Sequence, residues 1–195
     1  MKKLIITLFS LWIANAAYTQ AWTKQYEHVD ECVCGLSLVG KDGKHGYVDK
    51  SGKLIVPLIY DEAMTFSEGM AVVMQGNKWG YIDSTGKVAV PLQYGEAMSF
   101  HDGMAVVAKA NKYGFINLKG EMVIPLEYDN ARAFGEGLAP VMNAKGKWGY
   151  IDNKGKLVIG FKYAFADTFL DGQARVMEGT KMIYIDPTGA KVKDL

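Results

Sequence analysis

The stretch Lys78-Trp79-Gly80-Tyr81-Ile82-Asp83 decides the reading of this chain, because it returns along the sequence at nearly constant spacing. It appears upstream as His45-Gly46-Tyr47-Val48-Asp49. Downstream it becomes Tyr113-Gly114-Phe115-Ile116-Asn117, then Trp148-Gly149-Tyr150-Ile151-Asp152, and it degrades to Met182-Ile183-Tyr184-Ile185-Asp186. The steps are 34, 34, 35 and 34 residues. A fixed period of this size marks a repeat architecture, in which each unit is too small to bury its own apolar face and must stack on its neighbours.

Two further anchors keep the same period. One is Val56-Pro57-Leu58-Ile59-Tyr60, repeated as Val90-Pro91-Leu92-Gln93-Tyr94 and Ile124-Pro125-Leu126-Glu127-Tyr128, with Ile159-Gly160-Phe161-Lys162-Tyr163 lacking the proline. The other is a Phe-x-acid-Gly string, Phe66 to Gly69, Phe100 to Gly103, Phe134 to Gly137 and Phe169 to Gly172. Counting from the tyrosines gives five units, at 26–59, 60–93, 94–127, 128–162 and 163–195, behind a lead over 17–25.

Each unit reads as three short antiparallel strands. Ala71 to Met74 is an apolar run, Gln75 to Lys78 a turn cluster, and Trp79 to Asp83 a strand whose alternate side chains take opposite faces. Asp83-Ser84-Thr85-Gly86-Lys87 suits a loop capped by its own aspartate, with a glycine free to take positive φ. Val88 to Val90 follows as a strand that Pro91 should end or hold at a sheet edge, since proline donates no ladder hydrogen bond. The run from Tyr94 to Phe100 fits a short strand or a helical turn equally well. Trp79 is expected in the core, where its loss would cost about 3–5 kcal/mol.

The first residues have the parts of a secretory signal: Lys2 and Lys3, an apolar run from Leu4 to Ile13, and a small-x-small site at Ala14-Asn15-Ala16. That run is shorter than the roughly 20 residues a membrane-spanning helix needs, so residues 1–16 are expected to be removed, leaving a soluble, exported chain. Removal takes the formal charge from +1 to −1. Nucleic-acid binding, which needs clustered Lys and Arg against phosphates, is excluded as a reading because charges of both signs are scattered along the repeats.

These strings resemble the WG-repeat family, also called KWG repeats, whose unit reads approximately K-W-G-[YF]-I-D, then [VI]-I-P-x-x-Y, then F-x-[ED]-G. The likeness is fullest at Lys78 to Asp83 and Lys147 to Asp152 and covers the chain from about Tyr26 onward. Its signature positions here are Trp79, Gly80, Tyr81, Asp83, Trp148, Gly149, Tyr150, Asp152, Gly46 and Gly114, with Pro57, Pro91, Pro125, Phe66, Phe100, Phe134, Phe169, Gly69, Gly103, Gly137 and Gly172. The resemblance implies a bacterial, often exported, β-structured binding or scaffold module with no shared catalytic site and no cofactor. The units depart from it where His45 and Met182 replace the tryptophan, and where Gly160-Phe161 replaces Pro-Leu.

Three constellations invite chemistry. Asp49, Asp83, Asn117, Asp152 and Asp186 offer oxygens of the kind calcium prefers, but one per turn is too few for its six to eight ligands, and turn capping accounts for them. Glu68, Asp102, Glu136 and Asp171 offer carboxylates for glycoside hydrolysis, yet recurrence in every unit points to the fold, because catalysis breaks repeat symmetry at one place. Cys32 and Cys34 read first as a buried, reduced or strained pair, since Cys32 aligns with the apolar Phe66 and Phe100. A strained internal bridge comes second, because residues two apart in a strand sit at the limit of disulfide geometry, and a metal or intermolecular bond comes third. Of the histidines, His45 fills an aromatic slot, His101 sits in a turn, and His28 belongs to no nucleophile motif.

The fold expected is an all-β tandem array, an open, twisted, solenoid-like stack in preference to a five-bladed propeller, since units of this length are short for blades of about 40–45 residues. The function expected is a noncatalytic scaffold or binding module for protein or glycan at the cell envelope. An envelope glycan hydrolase and a purely structural envelope component are the alternatives. The variable positions Ile59, Gln93, Glu127 and Lys162, and Thr65, Ser99, Ala133 and Thr168, are the expected contact surface.

Overall fold

The computed structural model describes residues 21–194. The expected signal segment at 1–16 and the first part of the 17–25 lead lie outside the described residues. Ala21–Gln25 is a 3-10 helix. Beyond it come five antiparallel four-stranded sheets, one after another. The first is β1 His28–Val29, β2 Leu36–Lys41, β3 Lys44–Asp49 and β4 Leu54–Tyr60; the second is β5 Glu62–Ala63, β6 Met70–Gln75, β7 Lys78–Asp83 and β8 Val88–Tyr94. The third is β9 Glu96–Ala97, β10 Met104–Lys109, β11 Lys112–Asn117 and β12 Met122–Tyr128; the fourth is β13 Asn130–Ala131, β14 Leu138–Met142, β15 Trp148–Asp152 and β16 Leu157–Tyr163. The fifth is β17 Phe165–Ala166, β18 Ala174–Glu178, β19 Lys181–Ile185 and β20 Lys191–Asp194. Within each sheet the strands pair in chain order. Among the described residues no helix is long and apolar enough to cross a membrane.

Four strands per sheet correct the expectation of three. The additional strand holds only two residues, as in β5, where Glu62 pairs with Met74 and Ala63 with Val73. A pair so short carries no periodic signal of its own; it is a strand because the long neighbour offers it ladder partners. The ambiguous run from Tyr94 to Phe100 thus contains a strand, β9. Each signature tyrosine such as Tyr60 closes a sheet, so the sheets begin two residues after the unit boundaries read from the sequence.

Local chemistry explains the signature. Gly76 and Asn77 both take positive φ, 58° and 60°, between the paired Gln75 and Lys78, which makes the two-residue hairpin whose twist suits antiparallel strands. In the next loop the Asp83 carboxylate accepts the N–H groups of Thr85 at 2.8 Å and Lys87 at 3.1 Å, while Gly86 stands at φ 84°. Asp152 does the same for Lys154 and Lys156, each at 2.9 Å. Pro91 does not end its strand: β8 runs through it as the edge strand, exposed, as are Pro57 in β4 and Pro125 in β12. At an edge, the missing N–H deprives no neighbour of a partner.

The glycine of the Trp-Gly pair is fixed by a bulge. Trp79 pairs with Tyr94 and Tyr81 with Val90, so extra residues of β8 arch over Gly80. A Cβ on Gly80 would lie 2.6 Å from the Val90 carbonyl oxygen. The same oxygen stands 2.5 Å from a Cβ on Gly46, 2.5 Å on Gly114 and 2.6 Å on Gly149, contributed there by Val56, Ile124 and Ile159.

Successive sheets share cores. Between sheets one and two lie Leu38, Tyr47, Val56, Phe66, Val73 and Ile82; the later pairs repeat the pattern, giving four inter-sheet clusters. The phenylalanine of each Phe-x-acid-Gly string packs on the aromatic ring of the preceding sheet: Tyr47 with Phe66 at 5.0 Å, Tyr81 with Phe100 at 4.9 Å, Phe115 with Phe134 at 5.0 Å and Tyr150 with Phe169 at 4.9 Å. The phenols reach one residue pair further. Tyr47 donates to the Met64 carbonyl at 2.6 Å, Tyr81 to that of Met98 at 2.8 Å and Tyr150 to that of Asp167 at 2.7 Å. Burial pushes all three phenols well above the ordinary tyrosine range. Trp148 is buried, but Trp79 is only half-buried against the edge of its core, so the fully buried Tyr81 holds the place expected of Trp79.

The cysteines are both free and both exposed, which corrects the expectation of a buried pair. The reason is position: Phe66 is buried by the sheet before it, and Cys32, in the same column of the first unit, has no preceding sheet to pack on among the described residues. At this end the ring of Trp22 covers Gly52, lying 2.2 Å from where a Cβ would stand. In later units the corresponding glycines, Gly86, Gly120, Gly155 and Gly189, sit against Val56, Val90, Ile124 and Ile159 of the preceding sheet.

Candidate functional site

The acid column does structural work between sheets. Glu68 accepts the N–H of Gly103 at 3.0 Å, Asp102 that of Gly137 at 3.0 Å, and Glu136 that of Gly172 at 3.0 Å. Each acid sits at positive φ beside a positive-φ glycine, and this two-residue turn aims the carboxylate at the next unit. Asp171, in the last unit, makes no hydrogen bond or ion pair among the described residues. Neither do three His, Cys, Asp or Glu side chains among them converge as a metal site would require.

The variable residues fall on opposite edges of the sheets. Ile59, Gln93, Glu127 and Lys162 are exposed on the outer long strands, while Thr65, Ser99, Ala133 and Thr168 follow the two-residue strands and range from exposed to half-buried. Ser99 Oγ lies 3.8 Å from Met64 Sδ, and Thr168 Oγ1 donates to the Ala133 carbonyl at 3.0 Å.

Repeat symmetry breaks sharply in one place. The chain has only two arginines, Arg132 and Arg175, and both meet on Asp167. Arg132 Nη1 donates to Oδ1 at 3.1 Å; Arg175 donates to Oδ2 through Nε at 3.0 Å and Nη2 at 2.9 Å. Arg132 and Asp167 occupy the column held by Met64 and Met98, and Arg175 the column held by Val72 and Val106. Phe165, in a column otherwise filled by His28, Glu62, Glu96 and Asn130, supplies a ring under both cations, 4.7 Å from the Arg132 guanidinium and 5.6 Å from that of Arg175. Trp148 flanks Arg132 from another side at 5.3 Å.

Arg132, Asp167 and Arg175 line a groove of about 680 Å³ along the turn side of sheets three to five. Phe134 and Phe169 form buried parts of its wall, and His101, Gln173, Leu170 and Tyr184 complete it. Gly135 is needed here because a Cβ would lie 2.4 Å from the Phe169 carbonyl oxygen. With side-chain exposures of 38, 29 and 44% for Arg132, Asp167 and Arg175, the ion pairs are screened and contribute at most about 1 kcal/mol each. What the stacking and the shared carboxylate achieve is orientation: two planar guanidiniums are held still with most of their N–H donors uncommitted.

None of Arg132, Asp167 or Arg175 stood out in the sequence, although the signal was present. Comparing columns for the unit that departs from its siblings would have found all three; the search for columns that agree passes over them.

A family model described as "WG containing repeat" matches four times, at residues 46–79, 79–113, 113–148 and 148–181. No curated protein matches the sequence. Solved structures similar in fold are propeller-like. They include one described as the eukaryotic initiation factor, with 12% identity, TM-score 0.57 and coverage of 85% of this chain and 54% of that one. Hsv2 of Kluyveromyces lactis matches at 12% identity and TM-score 0.55 over 83% of this chain and 59% of its own, and BamB of Moraxella catarrhalis at 12% and 0.51 over 83% and 58%. The chain thus spans under two thirds of the length of these structures, and at such identities the likeness is one of fold alone.

Proposed function

The chain belongs to the family of WG-containing β repeats, and from that premise we propose that it is a noncatalytic binding and scaffold module working at the cell envelope after export. Its ligand, protein or glycan, seats in the groove between the Phe-x-acid-Gly turns of sheets three to five. The observation that carries this reading is a break in repeat symmetry at which several unshared residues meet. Residues demanded by stacking recur in every unit, whereas Arg132, Phe165, Asp167 and Arg175 occur once and converge. A fold requirement repeats with the fold; a ligand requirement need not.

The architecture that fits this role is an open arc of propeller-like sheets. Support comes from the outward face of the fifth sheet. Asp171 accepts no N–H among the described residues, and Arg175 and Lys193 stand in the forward-facing columns that Val72 and Val90 fill in the second sheet. A closed ring would bury those cations against the first sheet. No hydrogen bond, ion pair or shared core joins the first and fifth sheets among the described residues.

The test is an affinity capture from the envelope fraction of the producing cell, with protein starting at Ala17 as bait and a Arg132→Lys/Arg175→Lys variant of equal thermal stability as control. A protein or polysaccharide retained by the parent and released by the variant supports the reading. Equal retention by both moves the ligand to another surface, and turnover of chromogenic glycosides abolished by a single acid-to-amide change would replace binding by hydrolysis.

A further inference from the structure

The groove has unused donors, a hydrophobic shoulder and engaged carboxylates, and that combination selects a ligand. Asp167 neutralises one of the two arginines and accepts from both, so the trio carries one net positive charge. Arg132 and Arg175 spend few of their donors on it, and a guanidinium fork with free N–H groups matches a carboxylate in two parallel hydrogen bonds. The other carboxylates lining the groove, Asp102 and Glu136, keep their charge but are turned to the N–H groups of Gly137 and Gly172, so the positive site is the Arg132–Arg175 pair itself and not the groove as a whole. Beside the arginines stands Leu170, 73% exposed, the most exposed large apolar side chain among the described residues. The matching position holds Val33, Ser67, His101 and Gly135 in the earlier units; Val33 packs partly buried on the first core, so what is peculiar to Leu170 is its exposure.

Resting on the reading of this groove as a binding site, we propose that its ligand is an acidic peptide segment, one that places a carboxylate side chain on the Arg132–Arg175 pair and a neighbouring aliphatic side chain on Leu170. A sugar would be expected to stack on an open aromatic face; the rings of Phe134 and Phe169 are buried in the wall, and the half-buried ring of Tyr184 carries Lys193 Nζ 4.6 Å from its centroid. An exposed aliphatic next to a cationic fork suits the mixed acid-and-aliphatic surface of a peptide. The stacked arginines are already ordered, so little side-chain freedom remains to be lost on binding.

The experiment is calorimetric titration of the whole chain from Ala17 with three probes: an acetylated, amidated hexapeptide alternating leucine and glutamate, the same peptide with glutamine for glutamate, and an oligomer of galacturonate. The acidic peptide binds at least about tenfold more tightly than its amide counterpart, and raising salt weakens it. Arg132→Lys and Arg175→Lys each lower that affinity about tenfold, since lysine keeps the charge and loses the fork. Leu170→Ser lowers it severalfold while leaving the melting temperature unchanged, which separates a lost contact from a lost fold.

Equal binding of the acidic and amide peptides overturns the proposal while leaving a binding groove in place. Tighter binding of galacturonate also overturns it, in favour of an acidic glycan. Absence of binding by all three probes, alongside arginine-dependent capture of an envelope component, likewise rejects the peptide assignment and spares the broader reading. If that capture fails as well, the broader reading falls with it.

Discussion

Replacing Gly80 by alanine tests the account of the Trp-Gly pair at its centre. The added methyl would stand 2.6 Å from the Val90 carbonyl oxygen and 2.9 Å from the backbone of Leu92, so no side-chain rotation relieves it and the bulge of β8 must move. Overfilling a packed site of this kind costs about 1–3 kcal/mol. The natural control is Gly160, which lies in the edge strand β16, has no atom within 4 Å of a built Cβ and does not take positive φ. Alanine there should be neutral or stabilise by about 0.4–1 kcal/mol, through the reduced freedom of the unfolded chain. For a body of this size 1 kcal/mol corresponds to roughly 2–4 °C in melting temperature, so the two variants separate by several degrees. Urea and thermal unfolding followed by tryptophan fluorescence measure it. A Gly80→Ala protein as stable as Gly160→Ala would show that the bulge yields freely and that close backbone approach does not explain the repeated glycine.

Three further outcomes follow from the packing. Tyr150→Phe removes the hydrogen bond to the Asp167 carbonyl and should cost about 1 kcal/mol by urea denaturation, a modest sum because Phe115 fills the same column in the third unit; a loss above about 3 kcal/mol would mean that the phenol supports more than that one bond. Trp22→Ala should speed amide hydrogen exchange in β2 and β3 while leaving β18 and β19 unchanged, since repeat contacts are local; uniform acceleration would contradict that locality. Asp49, Asp83 and Asp186 are held below the ordinary carboxylate range chiefly by side-chain hydrogen bonds from Ser51, Thr85 and Thr188, and Asp152 chiefly by the Lys156 N–H. Because their folded values are depressed, their contribution is present above the unfolded value of 3.8 and lost as pH falls through the folded ones. Melting temperature should therefore fall on acidification below that value, and Asp83→Asn should flatten the fall, since Asn117 already holds its turn with the same acceptor geometry; an unchanged acid limb would refute the assignment.

Much of the fold was legible because its determinants are local and repeated. The hairpin at Gly76-Asn77, the self-capping loop at Asp83 and the edge position of Pro91 each follow from the chemistry of a few adjacent residues. The two-residue strands were not legible, because Glu62-Ala63 is a strand only by virtue of what Met74 and Val73 offer it. Cys32 was misread for a related reason: its column is apolar where a preceding sheet exists, and it begins the array. The groove was hidden differently. Arg132 and Asp167 are one unit apart, and nothing in either residue's neighbourhood announces the other until the sheets stack.

Arg175 has a double position: it sits in the groove and also on the face that the fifth sheet would offer to a sixth. The internal interfaces share one packing scheme, an aromatic ring of one sheet on the phenylalanine of the next. Duplication beyond the fifth would set Arg175 and Lys193 against a new apolar sheet, so it would be tolerated only with aliphatic replacements at both, and the first of those would dismantle the groove. The packing face of the fifth sheet and the groove thus draw on the same arginine, and a side chain that suits one spoils the other.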